Sequence, residues 1–312
     1  MPPDTPATHP AAYSARAPEC VALHRAASQG RGNIVAQMIP NASKEALVDA
    51  LSAAASSNRL QCVALLLPEC AHLSFLPRPR LPKDVAERLA STLRLCARNG
   101  WTECLAKILP LMDADAKAAA LVQGARDGQE GAVALLLADR RLGAPYPITQ
   151  ALAAAAEKGF QACLSRLLSD RSPCDDLGPA LVAAAYGGSV ESLIALLPLI
   201  DASYDDSRAL RRAAKEGHDE CVQVLAAKCP PDAGAWKALR LAAGRGQQRC
   251  SQLLMDLLLP VASGAQMAQV AELARYGAHF SLADLIMVQA ESFLLNRDVS
   301  SAAPPSSHRP RL

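Results

Sequence analysis

The sequence predicts an all-α solenoid of about nine helix-turn-helix repeats with short inter-repeat loops, on three observations. Apolar residues make up 51% of the 312-residue chain while aromatic residues supply only 4%. Alanine carries much of that apolar content, in runs such as Ala153 to Ala156 and Ala183 to Ala185, and alanine both favours helix and lets helices approach closely. The second observation is internal repetition. The segment LRRAAKEGHDECVQVL from Leu210 returns as LHRAASQGRGNIVAQM from Leu23, LRLCARNGWTECLAKI from Leu93, LAAAAEKGFQACLSRL from Leu152, LVAAAYGGSVESLIAL from Leu181 and LRLAAGRGQQRCSQLL from Leu239. Weaker copies begin at Leu51, Leu121 and Val270.

The third observation is the spacing of the turn residues. These are Gly30, Asn58, Gly100, Gly128, Gly159, Gly188, Gly217, Gly246 and Gly277, separated by 28, 42, 28, 31, 29, 29, 29 and 31 residues. One period therefore runs through the chain, with a single insertion between the second and third units. Asn58 fits the series because asparagine is the best non-glycine residue for a positive φ.

Each unit reads as two short helices. In the first, Leu210, Ala213 and Ala214 share one face and leave Arg211, Arg212, Lys215 and Glu216 on the others. Gly217 then ends the helix. The second helix repeats the pattern with Cys221, Val222 and Leu225, and prolines at 40, 68, 110 and 198 are expected to stop it. Helices of about ten residues are marginal alone in water, so neighbouring units must stack and cover one another's apolar faces.

The charge is nearly balanced, 32 basic residues against 30 acidic ones for a net +2. That excludes a field strong enough to make nucleic acid or an anionic membrane the main partner. No segment approaches the roughly 18 consecutive apolar residues of a membrane span. Met1 to Pro18 is rich in Pro, Ala, Ser and Thr and has no apolar core of a Sec signal. A cytoplasmic protein is expected.

LHRAASQGRGNIV from Leu23 and LRRAAKEGHDECVQVL from Leu210 resemble the ankyrin repeat, which places Leu-His, Ala-Ala, a Gly-His turn and a Val/Leu-rich second helix at these offsets. The resemblance covers about residues 19 to 290. Only Leu23-His24 keeps the leucine-histidine pair, no unit has the preceding Thr-Pro, and the segment that builds the ankyrin β-hairpin is absent. Stubby loops with little or no β structure are expected between repeats, or else a different αα-solenoid with convergent packing.

The insertion, Ala71 to Asp84, holds prolines at 77, 79 and 82 and is expected to be an extended loop, either tolerated or a Pro-Arg ligand motif. Asp84 and Glu87 suggest a capping box for the helix that follows. Residues 1–18 and 297–312 are expected to be disordered tails. A Ser/Pro-containing tail on an Ala-rich repeat protein is also similar to bacterial effectors delivered into host cells, which implies, as an alternative, export without a Sec signal and sequestration of a host protein.

The ten cysteines form no CxxC pair. Cys62, Cys104, Cys163, Cys221 and Cys250 all fall four residues after a turn position, where they are expected to pack as small hydrophobes. Adjacent helices stand roughly 10 Å apart, too far for a ladder of disulfides. No HExxH, GxxxxGK[ST] or GxGxxG run occurs. No catalytic, metal or cofactor-binding residue is nominated, and no small-molecule substrate is evident.

The expected function is non-catalytic binding of a protein partner, with an accessory part of an enzyme complex as a weaker alternative. In ankyrin-like stacks the first helices and hairpins form the concave surface, and the two residues between Ala-Ala and Gly point to it. The resemblance thus nominates Arg98, Arg126, Asp127, Glu157, Lys158, Tyr186, Lys215, Glu216, Arg245, Arg275 and Tyr276. Arg and Tyr are the strongest of these as interface anchors.

Overall fold

The computed structural model describes residues 18–72, 83–139, 146–170 and 176–301. Among the described residues the chain is helical throughout, with eighteen α-helices and no strand. The helices are α1 (Pro18–Ser28), α2 (Gly32–Met38), α3 (Lys44–Ser56), α4 (Leu60–His72), α5 (Lys83–Asn99), α6 (Thr102–Ile108), α7 (Ala114–Arg126), α8 (Glu130–Ala138) and α9 (Tyr146–Lys158). They continue with α10 (Gln161–Asp170), α11 (Gly178–Gly187), α12 (Val190–Leu196), α13 (Tyr204–Glu216), α14 (Asp219–Ala226), α15 (Ala233–Gly244), α16 (Gln248–Leu258), α17 (Gly264–Tyr276) and α18 (Phe280–Ser301).

The chain divides into two compact units, one of Met1–Ala151 with Ser165–Ser172, the other of Leu152–Leu164 with Pro173–Leu312. In the first, α1, α3, α5 and α7 pack side by side as one layer, and α2, α4, α6 and α8 form a second layer against them. The second unit repeats this with α11, α13, α15 and α17 backed by α12, α14, α16 and α18. The repeated leucines fill the space between layers: Leu23, Leu51, Leu93, Leu121, Leu152, Leu181, Leu210 and Leu239 are each at most 1% exposed. Their alanine neighbours, such as Ala54, Ala155, Ala184, Ala213 and Ala242, are buried completely.

Eight of the nine expected turn residues adopt a positive φ, from Gly30 to Gly246 and including Asn58 at 53°. The ninth differs. Gly277 has φ −76° and Ala278 takes the left-handed conformation at 63°. The last turn is thus one residue later than its sequence match, which lets His279 occupy the slot after the turn. Six of these slots, Arg59, Gln129, Ser189, His218, Gln247 and His279, reach back over the turn glycine of the repeat before. The His218 ring lies where a Cβ on Gly188 would be, 2.7 Å from Nδ1, and the His279 ring does the same at Gly246 at 2.5 Å. Glycine is required there by close approach as well as by φ.

Two of the proline stops fall in 3-10 turns that follow the second helix, Pro40 within Ile39–Asn41 and Pro110 within Leu109–Leu111, and Pro260 does so in Leu259–Val261. Three residues later Ser43, Asp113 and Ser263 cap the next helix by accepting from the amides of Ala46, Ala116 and Gln266, worth about 1 kcal/mol each. Pro68 behaves differently and does not stop α4, which continues to His72. Proline forfeits one helical bond, but Cys70 in the continued turn is buried to 4% exposure, and that burial carries the helix past it.

Helix therefore takes both ends of the expected insertion: Ala71 and His72 close α4, and Lys83 and Asp84 open α5, so Asp84 lies inside the first turn and not ahead of it as a cap. The remaining Pro-Arg segment, 73–82, lies outside the described residues. At the C-terminus α18 runs to Ser301, so 297–301 is helical where a tail was expected; no proline interrupts it before Pro304. Residues 1–17 and 302–312 lie outside the described residues, and α1 begins at Pro18, where a first-turn proline is tolerated.

Candidate functional site

The second unit carries an open cleft of about 430 Å³ on its first-helix layer, lined by Glu157, Pro179, Val182, Ala183, Tyr186, Tyr204, Arg208 and Arg212. Its shape follows from α11, whose sequence GPALVAAAYG has no charge and only one long side chain along its middle, Leu181, turned into the core. Glycines at both ends of α11 bring its neighbours close. A Cβ on Gly187 would lie 1.8 Å from the carbonyl oxygen of Glu157 at the end of α9, and one on Gly178 would lie 2.1 Å from the Tyr204 ring of α13. A thin helix between two near neighbours leaves a trough with an apolar floor of Val182 and Ala183.

The α13 wall is basic and aromatic. The Arg212 guanidinium stands over the Tyr186 ring, 5.5 Å from its centroid, a cation–π arrangement that orients both. Tyr204 donates its hydroxyl to Asp176 at 3.0 Å, and that bond is the main reason its pKa lies above the ordinary tyrosine value. Between Tyr204 and Arg208 the backbone makes a left-handed turn, with φ of 50°, 57° and 54° at Asp205, Asp206 and Ser207. Each costs of order 1 kcal/mol in a non-glycine residue, and both ends of this strained turn line the cleft. Arg208 pairs with Asp205 at 3.0 Å and Arg212 approaches Glu216 at 3.9 Å, with both arginines at least 40% exposed.

Of the nominated residues, Glu157 and Tyr186 lie in this cleft. Lys158 pairs with Glu157 at 3.4 Å, and Lys215 and Glu216 sit half-buried at the end of α13. Arg245 is exposed just beyond α15, and Tyr276 is 94% exposed. Arg275 is held toward α18 by Asp284 at 3.5 Å, away from the cleft residues. In the first unit Arg98 and Arg126 are exposed at the ends of α5 and α7, and Asp127 accepts from Gln123.

The pair beside each turn does not extend to Arg208, Arg212, Tyr204, Pro179 or Val182. The signal was present. Counting back from the turn residue, Tyr186, Ala183 and Pro179 stand two, five and nine places before Gly188, and Arg212 and Arg208 stand five and nine before Gly217. Those spacings mark one helical stripe, of which the turn pair is only the last member. The first unit carries an open depression lined by Ser52, Ser56, Glu87, Arg88, Ser91, Thr92 and Leu95, of which Ser56 stands two places before Asn58, and Leu95 and Ser91 five and nine before Gly100. There the polar groups satisfy one another, Ser52 with Thr92 and Arg88 with Asp49.

His218 fixes the cleft from below. Its Nε2 bonds the Tyr186 carbonyl at 2.9 Å, and Arg59 Nε donates to Ser28 O at 3.3 Å in the equivalent place. The residue after each of these turns therefore holds the backbone of a stripe residue in the unit before it.

The five repeat cysteines lie in the core. Cys62, Cys104, Cys163, Cys221 and Cys250 are at most 1% exposed. Burial is the largest cause of the upward pKa shifts, to about 12 for Cys250 and about 11 for Cys221, which suppresses the thiolate needed for nucleophilic or metal chemistry. Cys62, Cys70, Cys96, Cys104, Cys221, Cys229 and Cys250 are buried free thiols, and Cys20 is a half-buried one. In native buffer, iodoacetamide is expected to label Cys20, the one described cysteine that is not buried, and to reach the other eight described cysteines only after unfolding. Peptide mapping that finds Cys221 or Cys250 modified in the native protein would contradict this placement.

Among the described residues no group of three or more His, Cys, Asp or Glu is placed to hold a metal ion, and no helix is long and apolar enough to cross a membrane. No protein-family model matches the chain, and comparison with curated proteins returns no similar sequence.

Proposed function

We propose that the chain is a non-catalytic protein-binding module of the ankyrin type, with about nine repeats, short loops in place of hairpins, and a partner seated across its first helices. The observation that carries this reading is the contrast between positions on those helices. The packing positions repeat as Leu, Ala and Ala from unit to unit, whereas the residues two, five and nine places before the turn change from Arg98, Leu95 and Ser91 on α5 to Tyr186, Ala183 and Pro179 on α11 and Lys215, Arg212 and Arg208 on α13. A repeat scaffold that holds its core constant and varies one exposed face separates folding from recognition. Tyr and Arg on that face are the side chains that most often dominate interface energy.

The test is the triple variant Arg126→Ala, Tyr186→Ala, Arg245→Ala, made in the intact chain. All three side chains are exposed, so helicity by circular dichroism is expected to match the parent. Proteins that co-purify with the parent are expected to disappear from the mass-spectrometric list of the variant. An unchanged list at unchanged helicity would sink the reading.

A further inference from the structure

Charge is divided between the two helix layers of the second unit. Helices α11, α13, α15 and α17 carry seven Arg and Lys against four Asp and Glu, while α12, α14, α16 and α18 carry two Arg against seven Asp and Glu. A chain with a net charge of only +2 has thus placed its basic excess on the layer that holds the cleft. Resting on the function proposed above, we propose that this cleft takes an extended acidic segment of a partner protein. An apolar or aromatic side chain of that segment sits on Val182 and Ala183, and flanking carboxylates pair with Arg208 and Arg212.

The cleft supplies each part of this recognition. Its floor is uncharged and apolar, and at about 430 Å³ it has room for a large side chain. The Arg212 guanidinium is held in place over Tyr186, which lowers the entropy lost when its planar fork meets a carboxylate. Among the described residues the ion-pair partners of Arg208 and Arg212 are Asp205 and Glu216, and both guanidinium groups stay largely open to solvent. Such pairs contribute little, so exchanging them for a partner's carboxylate costs little. The acidic groups around the site are accounted for: Asp176 is held by Tyr204, Asp206 by Lys237, and Glu157 by Lys158.

A polyanion is a poorer fit. Glu157 stands on the wall opposite the arginines, and a strand of closely spaced phosphates would have to pass it.

The experiment uses the full chain and fluorescence anisotropy. The probe is a short fluorescein-labelled peptide with a central Phe-Leu pair flanked on both sides by Asp and Glu, beside its counterpart with Lys at every acidic place. The acidic peptide is expected to bind, more weakly as salt is raised, and the lysine peptide is not. Combining Arg208→Glu with Arg212→Glu is expected to weaken binding about tenfold or more. Arg249→Glu, on the second-helix layer and 81% exposed, is expected to leave it unchanged. Circular dichroism checks that each variant is folded.

The proposal is overturned if the acidic peptide fails to bind, if both peptides bind alike, or if the cleft variants retain full affinity. It is also overturned if oligothymidylate at equal charge displaces the peptide completely, which would assign the arginines to nucleic acid. Failure here and failure of the wider function are distinguishable: loss of co-purifying proteins from the triple variant, without acidic-peptide binding, leaves the binding module standing and removes only its acidic ligand.

Discussion

Gly187→Ala is expected to destabilise the second unit by about 3 kcal/mol, at the upper end of overpacking effects. The added methyl would lie 1.8 Å from the Glu157 carbonyl oxygen and 2.7 Å from its carbon. Both are backbone atoms near the end of α9, so no rotamer change relieves the clash, and α9 and α11 must separate. Helix propensity acts in the opposite direction, since alanine is favoured over glycine by about 1 kcal/mol, but it is the smaller effect. Gly244 supplies the control. It ends α15, and nothing lies within 4 Å of a Cβ built there. Gly244→Ala is expected to stabilise by a few tenths to about 1 kcal/mol. Urea denaturation followed by circular dichroism reads both. Equal midpoints for Gly187→Ala and the parent would show that the two helices are not in close contact.

That contrast shows what the sequence made legible and what it hid. The turn residues could be read because a positive φ restricts residue type directly, and eight of the nine fell where expected. Ala278 could not, because the choice between it and Gly277 is made by the seating of His279 over Gly246, a contact between units more than thirty residues apart. Pro68 misled for a similar reason, since a local rule for stopping helices met the burial of Cys70. The five cysteines four residues after the turns were readable from the recurrence of small or apolar residues in that slot, and Ala132 and Ser192 are buried there too, but Ile34 in the first repeat is exposed, where no preceding repeat covers it.

The site was half legible. Glu157 and Tyr186 belong to the repeat's most recognisable positions, but Arg208 and Arg212 lie further back along α13, and their relation to Tyr186 appears only once α11 and α13 are packed. Gly187, beside Tyr186, acts through the close approach of α9, which no spacing in the sequence reveals.

Asp139→Ala is expected to cost the first unit about 3 kcal/mol, whereas Lys117→Met is expected to change stability by about 1 kcal/mol or less, a difference that follows from how buried ion pairs behave. Lys117, in the first turn of α7, is the one buried lysine or arginine among the described residues, at 2% exposure. Its Nζ donates to Asp139 Oδ2 at 2.6 Å, just beyond the end of α8. Taking the ammonium out of water is a cost that the carboxylate offsets. Removing Asp139 leaves the cost and deletes the compensation, and Lys117 must then drag its surroundings toward solvent. Methionine at 117 removes the buried charge itself and fills similar volume beside α8, while Asp139, 18% exposed at its side chain, can still reach water. The double variant is accordingly expected to be more stable than Asp139→Ala alone, so the second substitution rescues the first. A double-mutant cycle in urea measures this coupling. If Lys117→Met proved as damaging as Asp139→Ala, the pair would be a net source of stability, not a compensated burial.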